Sequence, residues 1–370
     1  MVAIKAATPY SAYQSYGAAH IVNAAPRAAA TAAASQGGAE QAATAVTLSE
    51  AARAALSQQD FATILAETRA SLSALLTDAG RTSPLHNGQL ALDLSTLDQR
   101  QLYAMSSDES FTEDERQAAG LEMQRRFEAA LAGPAAIARV TGNYSGLYKA
   151  AATYLDGLGP EERASSDWQA GRDAVTEGLK QVQTRPGNVP DAGPSDPVAL
   201  YLALSRTGDT VAPPSMTDMA ANARTTLDRL YAEAKANGKA PSFNRDTTTG
   251  TYIDVSNFSS RALSSMVLDQ DGRFSDQEVH AARAALQSKS GASLLASFQS
   301  AAKSGDPTAF SQNIIAAFSS LSPEEREAVG WSDQLYQTAM QSYASTTKLL
   351  DMFTQAGGNA GTGLASLLGR

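Results

Sequence analysis

LGPEERASSDW at 158–168 and LSPEEREAVGW at 321–331 are two versions of one segment, and each ends in one of the chain's two tryptophans, Trp168 and Trp331. These tryptophans lie 163 residues apart, as do Phe111 and Phe274. Upstream, LDLSTLDQRQLYAM (92–105) answers IDVSNFSSRALSSM (253–266), with Asp93/Asp254, Ser95/Ser256, Arg100/Arg261, Leu102/Leu263 and Met105/Met266 each 161 apart. The two-residue difference falls in one loop, just after Met105 and Met266. A collinear match interrupted by one short length change is the mark of an internal duplication, and a repeat decides architecture before local propensity does. It does not decide the biochemistry.

The chain has 370 residues, 43% of them hydrophobic but only 6% aromatic, and alanine is abundant throughout. That length suits about two domains. Alanine is the best helix former, and closely packed helices tolerate an alanine-rich core. The expected fold is therefore mainly α: two tandem duplicated helical modules, each with a short β-hairpin. A net charge of −9 without a basic stripe argues against nucleic acid, whose phosphates need clustered Lys and Arg. With no cysteine, disulfides and thiolate chemistry are absent. No run reaches the roughly 18 apolar residues of a membrane span. The first residues also lack the apolar block of a secretory signal, so any export is expected to use a leaderless route.

Residues 1–47 are rich in Ala, Ser, Thr and Gln without apolar periodicity, which predicts a disordered arm. Tyr10, Tyr13 and Tyr16, spaced by three, are either a docking motif or isolated aromatics in that arm. Module A is expected over 48–183, opening with a Thr47/Glu50 capping box. Phe61, Ile64, Leu65, Leu72, Leu75 and Leu76 then follow at helical spacing. Module B is expected over 217–350, with Arg224, Leu227 and Leu230 answering Arg69, Leu72 and Leu75. In each module QLALDLS or TYIDVS predicts a strand of a small hairpin, after which Ser95 or Ser256 is expected to cap the next helix. Thr112/Glu115 and Ser275/Glu278 form further capping boxes. Pro160 and Pro323 suit the first helical position after Gly159 and Ser322, where Glu161, Glu162, Glu324 and Glu325 complement the helix dipole. A proline-rich linker spans 184–216, with one short apolar helix at 198–205, and a glycine-rich tail is expected over 351–370.

One stretch carries specific chemistry. LDQDGRFSDQE at 268–278 resembles the latter part of an EF-hand calcium loop, whose oxygen ligands follow a fixed spacing around a glycine. The resemblance implies a calcium site formed by Asp269, Asp271, the Arg273 carbonyl, Ser275 and Glu278. It departs from the EF-hand pattern at the first position, Val267, which removes one carboxylate and implies weak affinity. The first copy, SSDESFTEDE at 106–115, keeps Phe111, Thr112 and Glu115 but has neither the glycine nor the D-x-D. Ser275 and Glu278 therefore read equally as a helix cap.

Other constellations are weaker. His20, His86 and His280 share no metal-ligand spacing, and no metalloprotease, P-loop or serine-hydrolase motif is present. GGNAGTG at 357–363 has no following helix or lysine to make a phosphate loop. Trp168 and Trp331 read as anchors of each module's core. The chain is thus expected to be a non-enzymatic interaction protein with a protein partner. Its composition resembles bacterial proteins exported by type III, flagellar or type I routes. A calcium sensor or buffer, and an enzyme with an unrecognised site, are the alternatives; the oligomeric state is left open.

Overall fold

The computed structural model describes residues 60–358, and of 353–358 only the course of the helix. The Thr47/Glu50 box, Tyr10, Tyr13, Tyr16 and His20 lie outside the described residues. The fold is mainly α, with thirteen helices and two short strand pairs among the described residues. The first run is α1 (Phe61–Asp78), β1 (Leu85–His86), β2 (Gln89–Leu90), α2 (Gln99–Ser107), α3 (Glu113–Thr141), α4 (Ser145–Asp156), α5 (Pro160–Arg163) and α6 (Ser166–Thr184). A connecting helix, α7 (Pro197–Thr207), leads to the second run. There α8 (Met216–Ala236), β3 (Ala240–Ser242), β4 (Gly250–Tyr252), α9 (Ser260–Leu268), α10 (Asp276–Ser304), α11 (Ala309–Ser320), α12 (Pro323–Val329) and α13 (Asp333–Gly358) follow in the same order. Lengths agree as well: α2 and α9 have 9 residues each, α3 and α10 have 29, and α4 and α11 have 12.

Helix starts follow from local side-chain chemistry. Thr112 and Ser275 accept from the backbone N–H of Glu115 and Glu278, whose carboxylates reach back to the cap N–H, satisfying donors the helix leaves open. Pro160 and Pro323 occupy first-turn positions after Gly159 and Ser322. Ser95 and Ser256 are not caps. Their N–H groups donate to Asp93 and Asp254 in turns, and the caps are Asp98 and Ser259, three residues later. The aspartates capture those serines locally, which delays the helix. The second expected hairpin also differs. β1 and β2 are antiparallel, but β3 and β4 run parallel, Ala240 opposite Gly250. The longer loop NRDTTTG lets the chain circle back before pairing. Residues 351–358 of the expected tail instead belong to α13, and the rest of it lies outside the described residues.

Each run has its own core. Leu72, Leu94, Leu102, Met105 and Phe111 are buried in the first, and Leu227, Ile253, Leu263, Met266 and Phe274 in the second. A further cluster joins α3, α4 and α6 to the linker helix through Leu131, Leu147, Tyr148, Val175, Val198 and Tyr201. Trp168 packs partly buried against it and donates Nε1–H to the Leu155 carbonyl (2.9 Å), whereas Trp331 stacks on Phe318. Both tryptophans are half-buried at a core rim rather than at its centre.

The runs meet along two seams. At one, α8 packs beside α1: Thr226 donates to the Asp78 carbonyl (3.0 Å), Asn222 donates to the Ala91 carbonyl (2.8 Å), and Arg81 pairs with Asp218. At the other, α11 lies across α3 at Gly133, beside the mid-helix Pro134. A Cβ at 133 would sit 2.4 Å from Ala316 Cα, inside the distance any side chain tolerates. Gly133→Ala is therefore expected to cost about 1–3 kcal/mol through overpacking, read by urea unfolding. In the same helix a Cβ at Gly120 meets nothing within 4 Å, so Gly120→Ala should instead gain up to about 1 kcal/mol from helix propensity.

Candidate functional site

The calcium-like loop joins α9 to α10. Asp269 takes a left-handed backbone (φ 38°) at the end of α9, and its carboxylate accepts from the N–H groups of Arg273 (2.7 Å) and Phe274 (3.3 Å). Gly272 is left-handed too (φ 63°), a conformation open to glycine without strain. Asp271 pairs with the Arg273 guanidinium at 3.0 Å, half exposed. Glu278 is buried and fully engaged. Its Oε1 accepts from Arg224 (2.7 Å) and Tyr231 (2.6 Å), and its Oε2 from the N–H (2.7 Å) and hydroxyl (2.9 Å) of Ser275. Burial alone would raise the Glu278 pKa, but the donors on Tyr231, Ser275 and Arg224 outweigh it and hold the carboxyl below its ordinary range. Among the described residues no group of three or more His, Cys, Asp or Glu is arranged to hold a metal ion.

The first run repeats this clamp without the Asp-Gly turn. Arg69 pairs with Glu115 at 2.9 Å and lies over the Phe111 ring at 3.8 Å, as Arg224 pairs with Glu278 and faces Phe274 at 5.7 Å. Arginine, phenylalanine and glutamate thus tie the first helix of each run to the start of its longest helix. The matching Arg69/Arg224, Phe111/Phe274 and Glu115/Glu278 pairs were visible in the sequence, but their mutual contact was not.

A second arginine–carboxylate contact differs between the runs. Arg100 pairs with Glu161, its Nε 2.8 Å from Oε2, while Arg261 pairs with Glu325 at 3.0 Å. Glu325, not Glu324, is therefore the partner in the second run, although Glu161 answers Glu324 in sequence. The cap residue explains the switch. Ser322 offers a hydroxyl that joins Glu325 in a capping box and accepts from Arg261. Gly159 has none, and a Cβ there would lie 3.3 Å from Arg100 Cγ. Glu162, the counterpart of Glu325, is left to turn inward.

It turns into a cavity of about 60 Å³ lined by Gln99, Gly120, Met123, Phe127, Tyr154, Leu155 and Leu158. Glu162 is only 3% exposed, and its Oε2 has no hydrogen-bond partner. Gln99 Nε2 is also unpaired, though the amide lies near enough to favour the ionised carboxyl. Burial dominates and pushes the Glu162 pKa up to about 8. A burial that leaves a polar atom open in an apolar wall is costly. Tyr154 donates over a long 3.3 Å to Gln99 Oε1, and its ring meets Phe127 edge-on at 5.3 Å. The sequence presented Glu162 as an ordinary first-turn acid; the missing hydroxyl at Gly159 was the signal of something else.

A broader cleft of about 610 Å³ lies between α3, the 208–213 loop and α11–α12. Its charged groups are already engaged: Arg125 with Glu122, Arg139 with Ser205, Glu128 with Gln124 and Val211 N–H, and Arg326 with the carbonyls of Phe318 and Leu321. None of these groups is a buried atom without a partner, unlike Glu162 Oε2 in the smaller cavity. No protein-family model, curated protein or solved structure matches the chain.

The raised Glu162 pKa has a definite sign. Between the ordinary carboxyl value of about 4.3 and about 8, the folded protein holds a proton that the unfolded chain has released, so stability falls as pH rises across that window. Glu162→Gln removes this loss. The variant should match the wild type near pH 4 and exceed it at pH 8 by something on the order of 5 kcal/mol, measured by denaturation at each pH.

Proposed function

We propose that the chain is a non-enzymatic interaction protein that holds an acidic amphipathic helix of a partner protein against α10 and α11. The observation that carries this reading is an uncovered aromatic pair. Phe298 on α10 and Phe310 on α11 meet edge-on at 5.7 Å, yet are 56% and 44% exposed, with Leu295 one turn away at 58%. The buried residues of α10 end at Leu286, eighteen residues before the helix does, whereas α3, of equal length, buries Phe127, Leu131, Ala135 and Ala138 in its second half. Contiguous apolar surface rimmed by polar residues marks interaction sites, and a helix laid in such a groove is a recurrent recognition mode. Charge selects the partner: residues 279–304 carry His280, Arg283, Lys289 and Lys303 and no acid, in a chain of net charge −9. Two related helical modules would supply the rigid frame, a reading supported by the matching element order and the paired Arg69/Arg224 clamps. Composition alone supports export of a bacterial protein. No described helix is long and apolar enough to cross a membrane.

Phe298→Ser with Phe310→Ser should change stability by less than about 1 kcal/mol, as expected for exposed sites. A photoreactive side chain at position 295 should trap, in cells, one partner whose crosslinked segment is an acidic amphipathic helix, and the double variant should lose it. An adduct of twice the chain mass would reassign the face to self-association, and the lack of any adduct would overturn the reading.

A second reading is calcium binding at 267–278, favoured by the left-handed Gly272 at the place where an EF-hand needs one. Calcium would have to draw Glu278 away from Arg224 and Tyr231. Amide shifts confined to this loop at millimolar calcium, lost in Asp271→Ala and strengthened in Val267→Asp, would support it; unmoved amides would leave the cap alone. Ser275→Ala should cost about 1 kcal/mol with or without calcium.

A further inference from the structure

Among the described residues, Glu162 presents a nearly fully buried carboxyl oxygen with no hydrogen-bond partner at the wall of a cavity. Five helices wall it: α2 through Gln99, α3 through Gly120, Met123 and Phe127, α4 through Tyr154 and Leu155, α5 through Glu162 itself, and α7 through Pro197. Gly120, Met123, Gln99 and Tyr154 are each partly exposed, so the cavity has a mouth. The arginine nearest in sequence contact, Arg100, is committed to the neighbouring Glu161. The wall therefore offers an acceptor with no cation, an apolar sleeve and two aromatic rings.

We propose that this cavity binds a small alkylammonium ion, the ammonium donating to Glu162 Oε2 and the alkyl stem lying against Met123, Phe127 and Leu155. A carboxylate has about four acceptor positions, so one N–H from Gln99 and the ammonium can share it. A charge-assisted bond in a water-poor site is the strong kind, and Phe127 and Tyr154 line the same space, where a cation held over a ring face gains further. A neutral alcohol would gain the stem contacts but not the charge pairing. This inference stands apart from the docking face on α10 and α11.

Binding carries a proton. The empty site keeps Glu162 protonated at neutral pH, because burial raises its pKa, and an ammonium ion selects the ionised form. One proton should leave as each ligand enters, so affinity should rise about tenfold per pH unit below about pH 8 and level off above it. The titratable neighbours do not supply a competing transition there. Tyr103 on α2 and Tyr154 on α4 are both shifted upward, chiefly by burial and also by Glu162 itself. Glu161 on α5 is held below its ordinary value by Arg100 against the effect of burial. Glu128 on α3 is raised too, by burial, but it is not part of the cavity lining and is held by Gln124 and the Val211 N–H.

The test is titration of the full chain with propylammonium, and in parallel with 1-propanol, followed by amide and methyl shifts of the cavity residues. Propylammonium should bind about 100-fold more tightly at pH 8.5 than at pH 6, with shifts at Met123, Leu155 and Leu158, and calorimetry in two buffers should show proton release. Propanol should bind weakly at every pH. Nα-acetyl-lysinamide distinguishes the source: binding as tight as propylammonium points to a protein lysine, weaker binding to a free amine. Glu162→Gln should lose at least about tenfold of the affinity at pH 8.5 and all its pH dependence. Gly120→Leu, which projects into the open space, should block the site while leaving Glu162 in place. Equal, pH-independent binding of the amine and the alcohol would reduce the site to an apolar hole and overturn the proposal. So would the absence of any shift, which would mean that Gln99 and Glu162 satisfy one another.

Discussion

The crossing of α3 and α11 at Gly133 is the contact on which the rest of the architecture depends. Two helix axes can approach closely only where a side chain is missing, and here the missing Cβ would have stood 2.4 Å from the Ala316 backbone. That approach brings Ala136 and Ile137 of α3 against the cluster of Ile315, Ala339 and Met340. The helix that carries the crossing also forms the wall of the Glu162 cavity, and the helix laid on it carries Phe310. Both candidate surfaces are thus fixed by one small residue in the middle of a 29-residue helix. The α1–α8 seam is different in kind. It is made of hydrogen bonds, the one from Asn222 to the Ala91 carbonyl buried, and a partly exposed ion pair.

Where the runs match, they match in the contacts that start helices; where they differ, they differ in what those contacts leave over. Both keep an arginine over a phenylalanine and against a buried glutamate, which joins three elements with one guanidinium. In the second run Ser322 and Arg261 also absorb Glu325. In the first, glycine at the cap gives Arg100 room but removes the hydroxyl, and Glu162 is released from structural duty. A protein that buries such a carboxyl without a partner accepts lower stability at neutral and alkaline pH. The second run shows that the same helix start can be built without that loss.

Much of the fold was legible because helix ends depend on residues close in sequence. Thr112/Glu115, Ser275/Glu278, Pro160 and Pro323 specify their caps within four positions, and the structure places helix starts at each. Ser95 and Ser256 misled because an aspartate two residues earlier competes for the same backbone, a contest that composition does not decide. The parallel pairing of β3 with β4 depends on how a loop circles in three dimensions. The exposure of Phe298 and the burial of Glu162 were hidden for the same reason. Burial is a property of neighbours from other elements, and a phenylalanine in an apolar run or a glutamate after a proline looks alike whichever way it faces. Only the Gly159/Ser322 difference hinted that one of the two glutamates had lost its local partner.

Gly133 and Ala316 are 183 positions apart in the chain, and this separation bears on how the molecule is made. Closing so long a loop is slow compared with forming the helices on either side. During synthesis α3 emerges and folds against α2 and α4 well before α11 exists. For that interval the strip around Gly133, Ala136 and Ile137 faces solvent, bare and apolar, at a helix already weakened by Pro134. A nascent chain in that state is open to premature association with another like it. Slow translation between 140 and 310 would lengthen the exposure, and a chaperone that recognises short apolar helical strips would find its binding site there and lose it once α11 docks.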